Sequence, residues 1–325
     1  MHPAFSVIFL TTLIGVGQGL FLALFTGHLY SVIKVVPMSA DPQTFYGLGS
    51  LVALVFLGGG LFASFFHLGH PERAWRSAAR WRTSWLSREV IVLPGFMGML
   101  TLYGLVQYTA WNPVLTNLGP IIVDLSMVVG VLATIMAFAL FLCTAMIYAC
   151  IKFLQEWASP LTVVNYTLLG TASGFTLATA FAAMYAPELV RFYGIWAIII
   201  TITALFTRIA SLIRNSRIKH KSTLQSAIGV RHPKVVQKAQ GSMGGSFNTR
   251  EFFHGKSADF LKSIKWIFLV LVFPVPVLMI MMGLSSAAFA TLLVAFAIQY
   301  VGLLAERWFF FAQANHPQNL YYQTI

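Results

Sequence analysis

Apolar runs of about 20 residues recur along this chain, separated mostly by short connections, and a helix of that length crosses a hydrocarbon core of roughly 30 Å. Inside lipid the backbone must satisfy its own hydrogen bonds, so such runs fold as helices. Composition agrees. Of the 325 residues, 58% are hydrophobic and 9% charged, whereas soluble domains carry roughly 25% charged residues. The fold class is therefore all-α: a polytopic membrane protein, a bundle of about eight transmembrane helices. Residues 1–325 are read as a single integral membrane domain. The runs place spans near 5–32, 46–66, 87–108, 121–149, 161–184, 189–213, 264–283 and 286–311. Pro3 suits the first turn of a helix. Pro274 and Pro276 should kink the seventh span, because each removes a backbone donor.

The net charge is +12. In a soluble chain that would suggest nucleic acid, but here the cations cluster beside membrane spans. They point instead to orientation, membrane lipids and an acidic protein partner. An even number of spans puts both termini on one side, together with the second, fourth and sixth connections. The second carries Arg73, Arg76, Arg80, Arg82 and Arg88, and the fourth carries Lys152. The sixth, residues 214–262, carries Arg217, Lys219, Lys221, Arg231, Lys234, Lys238, Arg250 and Lys256. The other side offers little beyond Lys34 and Arg191. The positive-inside rule then places the termini and the basic connections in the cytoplasm of a bacterial inner membrane. Within the sixth connection, Gly241 to Ser246 reads as a flexible cytoplasmic loop, or as an arm that orders against a partner. The start, Met1-His2-Pro3, lacks a basic leader, so the first span is expected to stay in the mature protein. Cys143 and Cys150 are seven apart in one apolar run and read as packing residues; the absence of any C-x-x-C predicts no iron–sulfur cluster on this chain.

The densest chemistry lies between His67 and Glu89. Two histidines, five arginines, two glutamates and three tryptophans gather there in a chain poor in charge. A bis-histidine haem needs two imidazoles at one depth. His28 ends the first span and His67 and His70 end the second, roughly 30 Å apart by helical rise, so no haem is expected. What converges instead is a histidine, an acid and guanidinium groups at the basic end: His67, Arg73, Glu89, Glu306 and Arg307, with Arg208 low on span six. Quinone chemistry moves protons with electrons. An imidazole can exchange a proton near neutral pH, a carboxylate can relay it and a guanidinium can hold a carbonyl or the carboxylate. These residues, with Gln18 in span one, are read as a quinone-binding and proton-transfer site. Arg76, Arg80, Arg82, Trp85 and Arg88 are read as a docking surface for an electron-transfer partner. Plainer roles stand beside these. Ser87, Arg88 and Glu89 could merely start a helix. The arginines could signal topology and bind lipid phosphate, the tryptophans could form an interfacial belt, and Gln18 could serve helix packing. Two other classes also stand. In a transporter, Gln18, Glu306 and Arg208 would line a path and the two prolines would break a helix. A purely structural tether would hold partners without touching a redox lipid.

The motif His67-Leu-Gly-His-Pro-Glu-Arg-Ala74, followed by Trp85-Leu-Ser-Arg-Glu-Val90, resembles the signature of the membrane anchor subunits of dimethyl sulfoxide reductase and its relatives. Gly17-Gln18 and Ala305-Glu306-Arg307 extend the likeness, and the span number covers the whole chain. The opening Met1-His-Pro-Ala-Phe-Ser-Val-Ile-Phe-Leu-Thr-Thr12 is similar to the anchors of cytoplasmic sulfite dehydrogenase (quinone) complexes within that group. The resemblance implies an eight-helix anchor without haem or metal of its own, serving ubiquinone or menaquinone. It implies an iron–sulfur subunit docked on the membrane face and a molybdopterin catalytic subunit beyond it. It also implies quinol binding supported by the histidine and the glutamate of the two motifs, here His67 and Glu89. The basic connection between spans six and seven departs from the dimethyl sulfoxide reductase anchor. It favours sulfite:quinone oxidoreduction over a quinol-oxidising dimethyl sulfoxide or polysulfide reductase.

Overall fold

A computed structural model describes the chain except residues 119–120, 220–222, 237, 239–251, 287, 318 and 320–325. The stretch Gly241 to Ser246, with His220, Lys221 and Arg250, lies outside the described residues. Among the described residues, eight helical segments are long and apolar enough to cross a membrane. They are α1 (Phe5–Val32), α2 (Pro42–Ser64), α3 (Trp85–Tyr108), α4 (Leu125–Ala149), α5 (Pro160–Tyr185), α6 (Val190–Ser216), a broken seventh made of α8 (Ala258–Val272) and α9 (Pro274–Ser286), and α10 (Phe289–Ala312). A short helix, α7 (Leu224–Ile228), lies in the sixth connection, and two stretches of 3-10 helix, 65–67 and 71–80, join α2 to α3.

Polar caps set the helix starts. The Asp41 carboxylate accepts from Thr44 N with Pro42 at the first turn; Ser159 accepts from Leu161 N before Pro160; Ser257 accepts from Phe260 N. Several starts differ from the sequence reading: α2 begins at Pro42 rather than 46, α8 at Ala258 rather than 264 and α10 at Phe289 rather than 286, Pro3 lies before the Ala4 cap of α1, and the starts of α3 and α4 differ in their caps. The apolar run places the fourth span from Ile121, but Ile121–Asp124 (β2) pairs antiparallel with Val114–Leu118 (β1) as a small hairpin. The β-branched run Ile121-Ile122-Val123 suits a strand, and Asp124 then caps α4 by accepting from Met127 N at 2.8 Å. The third span starts at Trp85 and its cap is Ser84, not Ser87; the Ser84 hydroxyl accepts from Ser87 N at 3.3 Å. Glu89 therefore sits in the second turn rather than at the terminus.

α1 is the mast of the bundle. In its most apolar stretch 78% of the residues are buried, against 28–67% in the other seven spans. It packs on α2, α4, α5 and α10. It approaches α5 closely, and glycines make that approach possible. Gly15 and Gly19 on α1 face Gly170 and Gly174 on α5. A Cβ on Gly174 would collide with the carbonyl carbon of Gly19, and one on Gly19 with the carbonyl oxygen of Gly170. In lipid, where burial from water gives no drive between helices, such small-residue crossings hold helices by close backbone packing.

The seventh span breaks at Phe273, between α8 and Pro274, as the proline pair predicts. Pro276 has no N–H for the Val272 carbonyl four residues before it. Gln299 of α10 replaces the lost donor: its Nε2 donates to Val272 O at 3.2 Å. Gly302 lets α10 come this close, since a Cβ there would lie 2.8 Å from Val272 N.

Hydrogen bonds tie the two ends separately. At one end Met1 N donates to Ala314 O at 2.9 Å, Trp157 Nε1 donates to Phe310 O at 2.8 Å, and Arg214 donates to Gln155 O and Ala158 O at 3.0 and 3.2 Å. Both ends of the chain, the fourth connection and the end of α6 thus share this basic end. At the other, Ala40 N donates to Glu188 Oε1 at 2.8 Å.

Two consequences are measurable. Gly174→Ala should lower the thermal midpoint of the detergent-solubilised protein, since overpacking against fixed backbone costs about 1–3 kcal/mol or more; Gly98→Ala, in the interior of α3 where a Cβ meets nothing within 4 Å, should not lower it. Gln299→Leu should cost about 1–3 kcal/mol by orphaning the Val272 carbonyl. In a Pro276→Ala background, where the helix can supply its own donor, that cost should shrink, as a double-mutant cycle of unfolding would register.

Candidate functional site

α3 carries Glu89 inward. It is the fifth residue of the helix, about 6 Å along the axis from the end at 1.5 Å per residue. Its side chain is buried (7% exposed), and the Thr144 hydroxyl of α4 donates to Glu89 Oε1. Arg88, one residue earlier, points the other way. Its Nε and Nη2 donate to the carbonyls of Trp81 and Arg82 at 2.9 and 2.8 Å, and its guanidinium lies 4.2 Å from the Trp85 ring. Arg88, read from sequence as partner-docking, is thus engaged in holding the end of its own connection.

A second ionic group lies between α6 and α10. Arg208 and Glu306 pair at 2.9 Å (Nε to Oε1) and both are buried. Arg307 reaches the other oxygen of Glu306 at 3.8 Å, and its guanidinium lies 3.6 Å from the centroid of the Tyr166 ring on α5. Phe268 and Phe309 flank Arg208. Ionisable groups at this depth are costly unless paired. Even so, Arg208 Nε and Nη2, Glu306 Oε2 and Arg307 Nε have no hydrogen-bond partner among the described residues.

A cavity of about 20 Å³ joins the two groups, lined among others by Thr12, Gln18, Thr144, Tyr166, Ser173 and Arg307. A water needs about 10–15 Å³ and polar partners, whereas a dry cavity that admits a benzene ring measures about 150 Å³. This one has room for a water and none for a quinone ring. Gln18 faces it while donating Nε2 to Ala137 O at 2.8 Å, a bond that clasps α1 to α4.

The structure thus places Glu89, Glu306, Arg307, Arg208 and Gln18, all singled out in the sequence, in this region, and adds Thr144 and Tyr166. It does not bring His67 or Arg73 to that cavity. His67 ends the short 3-10 turn after α2 and is exposed; it has no hydrogen bond or ion pair among the described residues. Arg73 is exposed and pairs with Glu72 at 3.6 Å, while His70 Nδ1 lies 3.1 Å from the same carboxylate. Arg76, Arg80 and Arg82 are exposed on the same segment; Arg76 and Arg82 lie over Trp75 and Trp81, and both rings are largely exposed. Thr144 escapes sequence reasoning because a threonine in an apolar helix usually bonds its own backbone. The available signal is its depth, matching that of Glu89 near the basic end of the neighbouring span. At the opposite end His28 is buried with Tyr103 Oη at 3.2 Å and Gln107 Nε2 at 3.4 Å, far from this group. Among the described residues no three His, Cys, Asp or Glu side chains gather as a metal site.

Comparison with known proteins agrees with this architecture. The chain is 59% identical, over the full length of both chains, to the C subunit of sulfite dehydrogenase from Allochromatium vinosum. The family model described as DMSO reductase anchor subunit (DmsC) matches residues 1–322. With eight membrane-length helices and a match across nearly its whole length, this chain belongs to the DMSO reductase anchor subunit family.

Proposed function

We propose that this chain is the quinone-reactive anchor of a sulfite-oxidising molybdenum complex. In this reading it lies in the bacterial inner membrane with its termini and basic connections in the cytoplasm. The observation that carries the proposal is Glu89: a carboxylate buried one turn inside the membrane span, hydrogen-bonded by Thr144, on the helix that continues directly from the arginine-rich connection. A structural tether has no use for such a buried acid, whereas proton-coupled reduction of a lipid does. The sulfite substrate is supported by the full-length similarity to a sulfite dehydrogenase subunit.

The iron–sulfur subunit of the complex supplies electrons from the molybdopterin subunit at the basic face. Ubiquinone or menaquinone is the substrate on this side, seated at the basic end of α3 on the side that faces α4, where Glu89 lies; the internal cavity is too small for its ring. Reduction to quinol takes two electrons and two protons. Glu89 gives one proton to a quinone oxygen, and its O–H bond breaks as the quinol O–H forms. In this reading His67 gives the other, and Arg73 holds the second carbonyl. Fresh protons come from the cytoplasmic water that wets the exposed His67 segment. The docking face is built from arginines laid over exposed tryptophans, the side-chain types most enriched at binding hot spots. An iron–sulfur partner presenting carboxylates would meet Arg76, Arg80 and Arg82 there.

In membranes holding the assembled complex, Glu89→Gln and His67→Ala should each lower sulfite:quinone turnover by about 10²-fold or more, the usual contribution of a positioned acid. Sulfite oxidation with an artificial dye should persist. Wild-type quinone rates in both variants would remove the site. Reversing two charges with Arg76→Glu and Arg80→Glu should loosen the iron–sulfur subunit, with the wild-type complex losing affinity as salt rises and the variant responding less. Co-purification across a salt series measures it.

A further inference from the structure

We propose that Arg307 is the counter-charge of Glu89, coupled to it through the Thr144 hydroxyl and a water in the cavity beside Gln18. Once Glu89 has given up its proton, two buried arginines and two buried glutamates form one neutral set. The inference deepens the reading of Glu89 as the proton-transfer group, on which its mechanistic half rests.

The charge count leads there. Arg208 Nε and Glu306 Oε1 form an ion pair at 2.9 Å. Arg307 touches Glu306 only at 3.8 Å, through the oxygen that Arg208 does not hold, and otherwise lies on the face of Tyr166. One positive charge is left over in a place where an unmatched ion is costly. Glu89 is the carboxylate reached through Thr144, whose hydroxyl donates to it and which lines the same cavity as Arg307.

The hydrogen-bond directions then fall into line. Arg307 Nε has a proton and no acceptor, and Arg307 lines the cavity. Thr144 lines the same cavity and spends its single proton on Glu89 Oε1, leaving its oxygen free to accept. A water in the space of about 20 Å³ accepts from Arg307 Nε and donates to Thr144 Oγ1. Every link, guanidinium to water to hydroxyl to carboxylate, is polarised toward Glu89. When Glu89 releases its proton to the reduced quinone, the negative charge left behind faces this series of donors until a cytoplasmic proton replaces the one lost. Arg307 and Thr144 act through Glu89 and are positioning residues.

A double-mutant cycle on the intact complex tests the pairing without reference to activity. Glu89→Gln and Arg307→Gln should each lower the thermal midpoint, and the double variant should melt above the value that the two losses predict when added. Simple additivity overturns the pairing. A second test reads the chemistry. Thr144→Val should lower the kcat of quinone reduction roughly tenfold or more. The KM for quinone and the dye-linked rate should stay as in wild type, and Thr144→Ser should restore turnover. Wild-type kcat in Thr144→Val overturns the inference, and does so even if Arg307→Gln fails to assemble. If Glu89→Gln keeps its quinone turnover, the proton-transfer reading falls, while the thermal cycle still judges the ion pairing.

Discussion

A helix in lipid gains little by hiding apolar side chains from its surroundings, because the surroundings are apolar too. What holds this bundle is contact close enough for backbone to touch backbone, and the crossing of α1 with α5 at Gly15, Gly19, Gly170 and Gly174 supplies it. Consequences follow from that crossing. It makes α1 the buried mast on which α2, α4 and α10 lean. It also sets Gln18 and Ser173, each next to a crossing glycine, beside the small polar cavity. Widen the crossing by one methyl group and the cavity wall moves with it.

The polar interior is economical. Gln18 clasps α1 to α4, Gln299 mends the carbonyl that Pro276 orphans, and Thr144 joins α4 to α3. Each replaces a missing or weak helix contact by a single directed bond, which in a water-poor interior leaves its partners few alternatives. The ionic group around Glu306 differs in kind. Its members retain unsatisfied atoms, and Arg307 and Tyr166 face a space for water.

Much of this is legible in the sequence, and unevenly so. The eight crossings follow from run length alone, and the broken seventh follows from Pro274 and Pro276, since both depend on local chemistry. Glu306 and Arg307 stand out as ions inside an apolar run. Pairing is less legible. Nothing local says that Arg208 rather than another cation meets Glu306, because that depends on how α6 is rotated against α10. The glycine crossing is likewise a property of two helices. The starts of α3 and α4 escape the run-length reading because a cap is recognised only with its helix: Ser84 and Asp124 look like connection residues. His67 and Glu89 look equivalent on paper, each at the end of an apolar run. The chain turns outward into 3-10 helix at one and plunges back into the bundle before the other, so one is wet and one is dry.

Arg88 and Glu89 occupy neighbouring positions on a single turn and face opposite ways, the first gripping the carbonyls of the arginine-rich connection, the second held inside by α4. The turn is therefore a rigid lever with its fulcrum in the helix backbone. Whatever settles on the outer surface of residues 70–82 meets carbonyls held by the very turn of helix that carries the buried carboxylate.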